Sequence, residues 1–198
     1  NSKLDNINVS ADSSGNIVSY SRYSPNYVEP ESKQPNYTRE EALKIAKEFI
    51  GRIDKYIYDQ IKLKENSYPI NSHDVDYGFS FVRVVNNIEY SDNTVNISVN
   101  KYTGDISNYY TNWDREIDFP KADDIISLDD GKLAFKDKIG LHLMYKSTYG
   151  VYRTIDANQD PRYYLTYAKM NNNKAIDAKT GEVIDLGYYG PIFTKESS

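Results

Sequence analysis

Thr38-Arg39-Glu40-Glu41-Ala42-Leu43-Lys44-Ile45-Ala46-Lys47-Glu48-Phe49-Ile50-Gly51-Arg52-Ile53 is the stretch on which the fold turns. The Thr38 hydroxyl can accept from an orphan amide of a first helical turn, and Glu41, three positions on, can return the bond as a capping box requires. Behind that cap Ala42, Leu43, Ile45, Ala46, Phe49, Ile50 and Ile53 recur at the i, i+3, i+4, i+7 spacing of one helical face. The reading is an amphipathic helix. Tyr56, Ile57 and Ile61 would carry it on for two turns, and Glu65 to Asp76, polar and containing Pro69, reads as a loop.

Beyond that loop the period changes from 3.6 to two. Tyr77, Phe79 and Phe81 alternate with Gly78, Ser80 and Val82, and Val95, Ile97 and Val99 fall on one face of Thr94 to Asn100, so both segments read as strands. Asn86-Asn87 offers a turn into Ile88-Tyr90. Lys101-Tyr102-Thr103-Gly104-Asp105 reads as a hairpin turn in which Gly104 is free to take positive φ, with Ile106 to Thr111 returning. One helix followed by an antiparallel meander implies a helix laid over the apolar face of a sheet.

The second half runs through the same order. Ser127 in Ile125-Ile126-Ser127-Leu128-Asp129-Asp130 is an N-cap followed by acids in the first turn, where the helix dipole favours them. A shorter helix to about Lys138 is expected, then strands at Leu141 to Tyr145, Val151 to Ile155 and Tyr163 to Tyr167. Asp177-Ala178-Lys179-Thr180-Gly181-Glu182-Val183 then matches Asn100-Lys101-Tyr102-Thr103-Gly104-Asp105-Ile106 type by type, which suggests a tandem repeat. A third echo, Val9 to Tyr20 around Gly15, resembles the Val99 to Tyr109 hairpin with one extra residue in the turn. It is expected to add two strands to the first sheet. Tyr23 to Tyr37, with Pro25, Pro30 and Pro35, reads as an extended connector, and Trp113 to Asp124, with Pro120, as its counterpart between units.

The Thr38-Arg-Glu-Glu-Ala-Leu opening, the Phe79-Ser-Phe-Val-Arg-Val-Val-Asn-Asn-Ile segment and the Thr-Gly-acid-aliphatic hairpins at Thr103 and Thr180 together resemble the YcdB/YcdC repeat family of Gram-positive bacteria, over roughly residues 9 to 187. Units of that family look like PepSY domains. The resemblance implies an α+β fold of two tandem PepSY-like units, each one helix on an antiparallel meander, with an extra N-terminal hairpin. The expected organisation is a hairpin and connector over 1–37, a first unit over 38–118 and a second over 119–198. The resemblance also implies an exported or cell-envelope location and a non-enzymatic role, and PepSY-like units in protease propeptides suggest an inhibitory one. The shortened second helix and the polar insert Ala157 to Asp160 depart from a regular repeat.

Composition narrows the remaining choices. The 198 residues carry 24 Lys+Arg against 29 Asp+Glu, a net charge of −5, without the basic stripe that nucleic-acid phosphates require. No run approaches the ~20 apolar residues of a membrane span. Zero cysteines exclude disulfides, thiolate metal sites and cysteine nucleophiles. Twenty tyrosines put much of the apolar payload on amphipathic rings. The chain starts at Asn1, from which a processed product or an excised piece is expected.

No cofactor or catalytic residue is expected. Of the two histidines, His73 sits in a polar loop with Asp74 and Asp76, and His142 faces away from Leu141 and Leu143. His-Glu-x-x-His, Gly-x-Ser-x-Gly and phosphate-cradling glycine loops are absent. Glu40-Glu41, Asp123-Asp124 and Asp129-Asp130 are sequence neighbours that diverge from one another, unlike the facing carboxylates of a glycosidase. Asp156-Ala157-Asn158-Gln159-Asp160 has the 1, 3, 5 spacing of a calcium loop, but Pro161 and Tyr167 stand at positions 6 and 12 where Gly and Glu belong. The binding candidates are the aromatic groups Tyr109, Tyr110 and Trp113, then Tyr163, Tyr164 and Tyr167, then Tyr188 and Tyr189. Strand alternation sends one ring of each pair inward. Two roles follow: an envelope module that binds a protein or peptide, for which an exposed sheet edge is the natural tool and protease restraint one outcome, or a carbohydrate or wall-polymer module using exposed tyrosines.

Overall fold

The computed structural model describes residues 5–25, 34–64, 74–147, 163–169 and 173–187. The chain divides into two compact units, Asn1–Pro120 and Lys121–Ser198. The architecture is α+β, with helices against antiparallel sheets.

In the first unit, helix α1 (Arg39–Ile53) starts at the capping box: the Thr38 amide donates to Glu41 Oε2 at 2.8 Å and the Glu41 amide to Thr38 Oγ1 at 3.2 Å. The helix ends earlier than the apolar pattern predicts. Asp54 is extended (φ −156°, ψ 93°), closes α1 through its amide on the Ile50 carbonyl, and caps α2 (Lys55–Tyr58) by accepting from the Ile57 amide at 3.0 Å. Asp54 also pairs with Arg115, a partner 61 positions away that local periodicity does not reveal. Ile61, expected on the helix, lies instead in β3 (Ile61–Leu63) opposite Arg83.

With β3, the strands β1 (Asn6–Ala11), β2 (Ile17–Tyr23), β4 (Asp76–Val85), β5 (Ile88–Asn100) and β6 (Ile106–Asn112) form an antiparallel sheet of six in the order β1-β2-β6-β5-β4-β3. Asn86 and Asn87 take φ of 52° and 64°, the double positive φ of a tight hairpin turn between β4 and β5. Ile88-Tyr90 and Thr94 to Asn100, read separately in the sequence, form one strand, from which Ser91, Asp92 and Asn93 bulge where Val82 pairs Thr94 but Arg83 pairs Tyr90.

Ala42, Ala46 and Ile50 of α1 and Ile57 of α2 pack on Phe79, Phe81, Val95, Ile97, Val99, Ile106 and Tyr109. The two-residue period of the strands and the helical period of α1 thus meet in one core. β2 pairs with β6, so the N-terminal hairpin lies in this sheet. Its register sets Ala11 opposite Ile17 with Val18 bulged, as Val99 is set opposite Ile106 with Ser107 bulged. Asp12 and Asn16 therefore close a turn one residue shorter than that of Asn100 and Asp105, not one longer as expected.

In the second unit, α3 (Leu128–Lys138) begins where Ser127 Oγ accepts from the Asp130 amide at 3.1 Å. Two separate ladders follow: β7 (His142–Ser147) with β8 (Tyr163–Ala168), and β9 (Lys174–Ile176) with β10 (Val183–Asp185). Among the described residues, four strands follow α1 and α2 in the first unit and four follow α3 in the second. In both, the residue before the helix cap docks on the last hairpin turn, Tyr37 donating to the Lys101 carbonyl at 3.1 Å and Ile126 to the Ala178 carbonyl at 2.8 Å. Asn100 Oδ1 accepts from the Tyr102 and Thr103 amides, and Asp177 Oδ1 from those of Lys179 and Thr180. The strand expected at Val151 to Ile155, the loop residues 65–73 and most of the connector after Pro25 lie outside the described residues.

Candidate functional site

Three surfaces stand out, and each follows from how the strands are laid. The first is the edge of the six-stranded sheet. An edge strand presents unpaired backbone donors and acceptors, and proteins ordinarily guard it with short length, charge or proline. β3 is guarded: it has three residues and carries Lys62 in the middle, ion-paired with Glu89 at 2.8 Å. β1 is not. All six of its residues, Asn6-Ile7-Asn8-Val9-Ser10-Ala11, are exposed and none is charged. Val9 stands opposite Tyr20, whose ring packs on Phe49 of α1, so Val9 and Ile7 share the helix side of the sheet. They remain 55% and 56% exposed beyond the helix.

The second surface lies where β5 bulges. Arg83, two positions after Phe81, points into the unit and is buried. Its Nε donates to Gln60 Oε1 at 2.9 Å, Nη1 to Asn93 Oδ1 at 2.9 Å and to the Asp114 carbonyl at 2.8 Å, and Nη2 to the Tyr56 hydroxyl at 3.2 Å. All four acceptors are neutral. The rings of Phe119 and Trp113, with centroids at 4.8 and 5.1 Å, supply π-faces to the same cation. The guanidinium thereby holds the chain segment leaving β6. Outside it, Asp12, Asn16, Tyr90, Asp92, Trp113 and Glu116 help line an open polar groove of about 460 Å³. The indole Nε1 of Trp113 is buried there without a hydrogen-bond partner among the described residues.

The third surface is on β7–β8. Register sets Leu143 opposite Tyr167, Tyr145 opposite Leu165 and Ser147 opposite Tyr163, which puts Leu143, Tyr145, Tyr163, Leu165 and Tyr167 on one face. All five are 56–79% exposed.

The aromatic candidates separate accordingly. Tyr109 is in the core against Phe49, its buried hydroxyl close to the Thr111 side chain but without a hydrogen bond of good geometry among the described residues, and Tyr110 is exposed on the opposite face, as alternation requires. Burial first, and then the Asp54 carboxylate, push the Tyr109 phenol up to about 12, with Thr111 and Arg115 pulling the other way. Trp113 is half-buried against Arg83 rather than displayed. Tyr163 and Tyr164 are both exposed, on opposite faces of the ribbon. Within the first unit, then, Tyr109, Tyr110 and Trp113 have three different surroundings, and in the second unit Tyr163 and Tyr164 fall on opposite faces of β8. His142 is exposed on β7, and among the described residues no three His, Cys, Asp or Glu side chains gather as a metal site. His73, the Asp156 to Asp160 loop, Tyr188 and Tyr189 lie outside the described residues.

Sequence reasoning missed Arg83 and the specific edge. An arginine at an inward position of the Phe79-Ser-Phe81-Val-Arg83 alternation was the available signal for the first. Six uncharged residues at a hairpin's outer arm were the signal for the second.

The sequence profile of the YcdB, YcdC repeated domain matches residues 1–113, which contain the N-terminal hairpin, α1, α2 and the whole sheet. The chain belongs to this family. The matched range ends before the second unit, short of the residue 187 to which the resemblance was traced. Among solved structures the chain is similar to the Bacillus megaterium YpeB C-terminal domain, with 14% identity over 93% of this chain and 90% of that one and a TM-score of 0.42. No curated protein matches the chain. The YcdB, YcdC family is described as a repeated domain, which points to a non-enzymatic module. Among the described residues no helix of this family member is long and apolar enough to cross a membrane.

Proposed function

We propose that this chain is an exported or cell-envelope module that binds an extended segment of a protein partner along β1, by strand addition. The observation that supports the reading is the contrast between edges: β3 is short and charged, whereas β1 offers six exposed, uncharged residues. Strand addition draws its affinity from main-chain hydrogen bonds and its selectivity from pockets for alternate side chains. Ile7 and Val9, on the helix side and uncovered, would meet the apolar residues of the added strand.

The duplicated cap-and-turn motif supports two tandem PepSY-like units over 38–118 and 119–198, with residues 1–37 supplying the hairpin that carries the edge. Restraint of a protease fits the same tool, because peptidases hold substrates extended and an edge strand already has that conformation. A wall-polymer platform has less support, since Tyr109 is internal and Trp113 is stacked on Arg83.

The test is a pull-down of extracellular protein with the chain and with the Ile7→Lys/Val9→Lys variant, followed by hydrogen exchange on the complex. The expected result is a partner captured only by the unaltered chain, with amide exchange slowed along Asn6–Ala11. Capture that ignores the two lysines, or a complex with no protection of β1, would overturn strand addition at this edge. Titrating peptidoglycan fragments against Trp113 fluorescence is expected to give no change.

A further inference from the structure

We propose that the uncovered face of β7–β8 is the contact through which two copies of this chain pair. The argument rests on the second unit alone and is independent of the β1 reading. A two-stranded ladder is marginal in water unless something packs on its apolar face. In the first unit that task falls to α1, which covers Phe79, Phe81, Val95 and Ile97. Among the described residues of the second unit α3 lies against β9 instead, and Leu143, Tyr145, Tyr163, Leu165 and Tyr167 are exposed.

Three features commit this face to a second copy. Its composition is self-complementary: none of the five residues is charged, whereas His142 and Lys146 project from the reverse side. A two-fold axis through the ladder would therefore bring no like charges together, although the chain as a whole carries −5. The area is sufficient. At the exposures quoted, three tyrosines and two leucines present on the order of 700 Å² per copy, close to the ~800 Å² each partner gives in a standard stable interface. The residue types suit a sheet-on-sheet contact, where tyrosines bury their rings and keep their hydroxyls at a wet rim.

The test uses the full chain in sedimentation velocity across the micromolar range, with Leu165→Lys and Leu165→Glu as variants. Leu165 is exposed, so neither change empties a core, and Trp113 fluorescence reports whether the first unit is intact. The unaltered chain is expected to dimerise. Each variant alone is expected to weaken dimerisation at least tenfold, because the two-fold sets like charges close together. An equimolar mixture of the Lys and Glu variants is expected to recover the dimer, which a merely misfolded ribbon would not do. Three results would overturn the proposal: a monomer at every concentration, a dimer indifferent to both variants, or a dimer abolished by Ile7→Lys/Val9→Lys, which would move the contact to β1.

Discussion

Replacing Gly104 by alanine tests the turn that anchors the entry to α1. Gly104 has φ +73°, and a Cβ built there would lie 2.8 Å from Tyr37 Cζ and 3.0 Å from Cε2, inside the distance carbon atoms tolerate. Tyr37 cannot simply retreat, because its amide is bonded to the Lys101 carbonyl at 3.1 Å, so the ring must swing away. An L-residue in the left-handed region costs about 1–2 kcal/mol. Forcing a packed side chain aside adds roughly 1–2 kcal/mol. The expected loss is thus about 2–4 kcal/mol, read by urea unfolding followed through Trp113, the chain's single tryptophan.

Two comparisons separate the contributions. In a Tyr37→Ala background Gly104→Ala should cost only the left-handed component. Gly181 has φ +72° in the matching turn of the second unit, but its added Cβ would meet Ile126 Cδ1 at an ordinary 3.7 Å, so Gly181→Ala should carry that component alone, read by circular dichroism. If Gly104→Ala costs the same whether or not Tyr37 is present, the steric reasoning is refuted.

Arg83→Met should destabilise the first unit by about 1–3 kcal/mol in urea unfolding, because it leaves the buried Asn93 Oδ1 without its donor and takes one from the part-buried Gln60 Oε1 and Asp114 carbonyl; an unchanged or higher stability would contradict the network. Tyr109→Phe should be neutral or stabilise by up to about 1 kcal/mol, since it removes a buried hydroxyl that makes no hydrogen bond of good geometry among the described residues. The same change bears on alkaline stability. With the folded phenol pushed up to about 12 from 10.0, the unfolded form ionises first, so stability is complete below pH 10 and falls as pH rises toward 12. That part of the fall should vanish in Tyr109→Phe, as measured by urea midpoints against pH. At the acid end, the Thr38 amide lowers Glu41, the Thr180 and Lys179 amides lower Asp177, and the Asn16 side chain lowers Asp12. Their contributions are present above the ordinary carboxylate range and disappear as pH falls through and below about 4. Glu41→Gln should therefore differ from the unaltered chain at neutral pH and converge with it in acid.

Where the sequence was legible, the deciding partners were near neighbours. Thr38 and Glu41 are three apart, the Asn86-Asn87 turn is two residues, and the Thr-Gly turns close on themselves through Asn100 and Asp177, so local chemistry sufficed. The early end of α1 was illegible because it depends on Asp54 meeting Arg115 across 61 positions. The Ser91 to Asn93 bulge and the burial of Arg83 are one event seen from two strands, and neither strand alone announces it. Among the aromatic candidates, alternation placed Tyr109 inside and Tyr110 outside, but it could not say that Trp113 would be taken up by an arginine 30 positions earlier. The exposure of Leu143, Tyr145 and Leu165 on β7–β8 was equally hidden, since they spell an ordinary inward stripe, and among the described residues α3 lies against β9.

The Arg83 clamp has a mechanical side. β6 hands the chain on at Trp113, and within a few residues the backbone is fastened at the Asp114 carbonyl, at Arg115 through Asp54, and at Phe119 through Arg83 and Tyr90. Tension arriving along the backbone from the carboxyl-terminal direction is therefore spread across β4 and the α1–α2 junction before it can peel β6 from its neighbours. The first unit, loaded from that side, would resist unzipping for that reason.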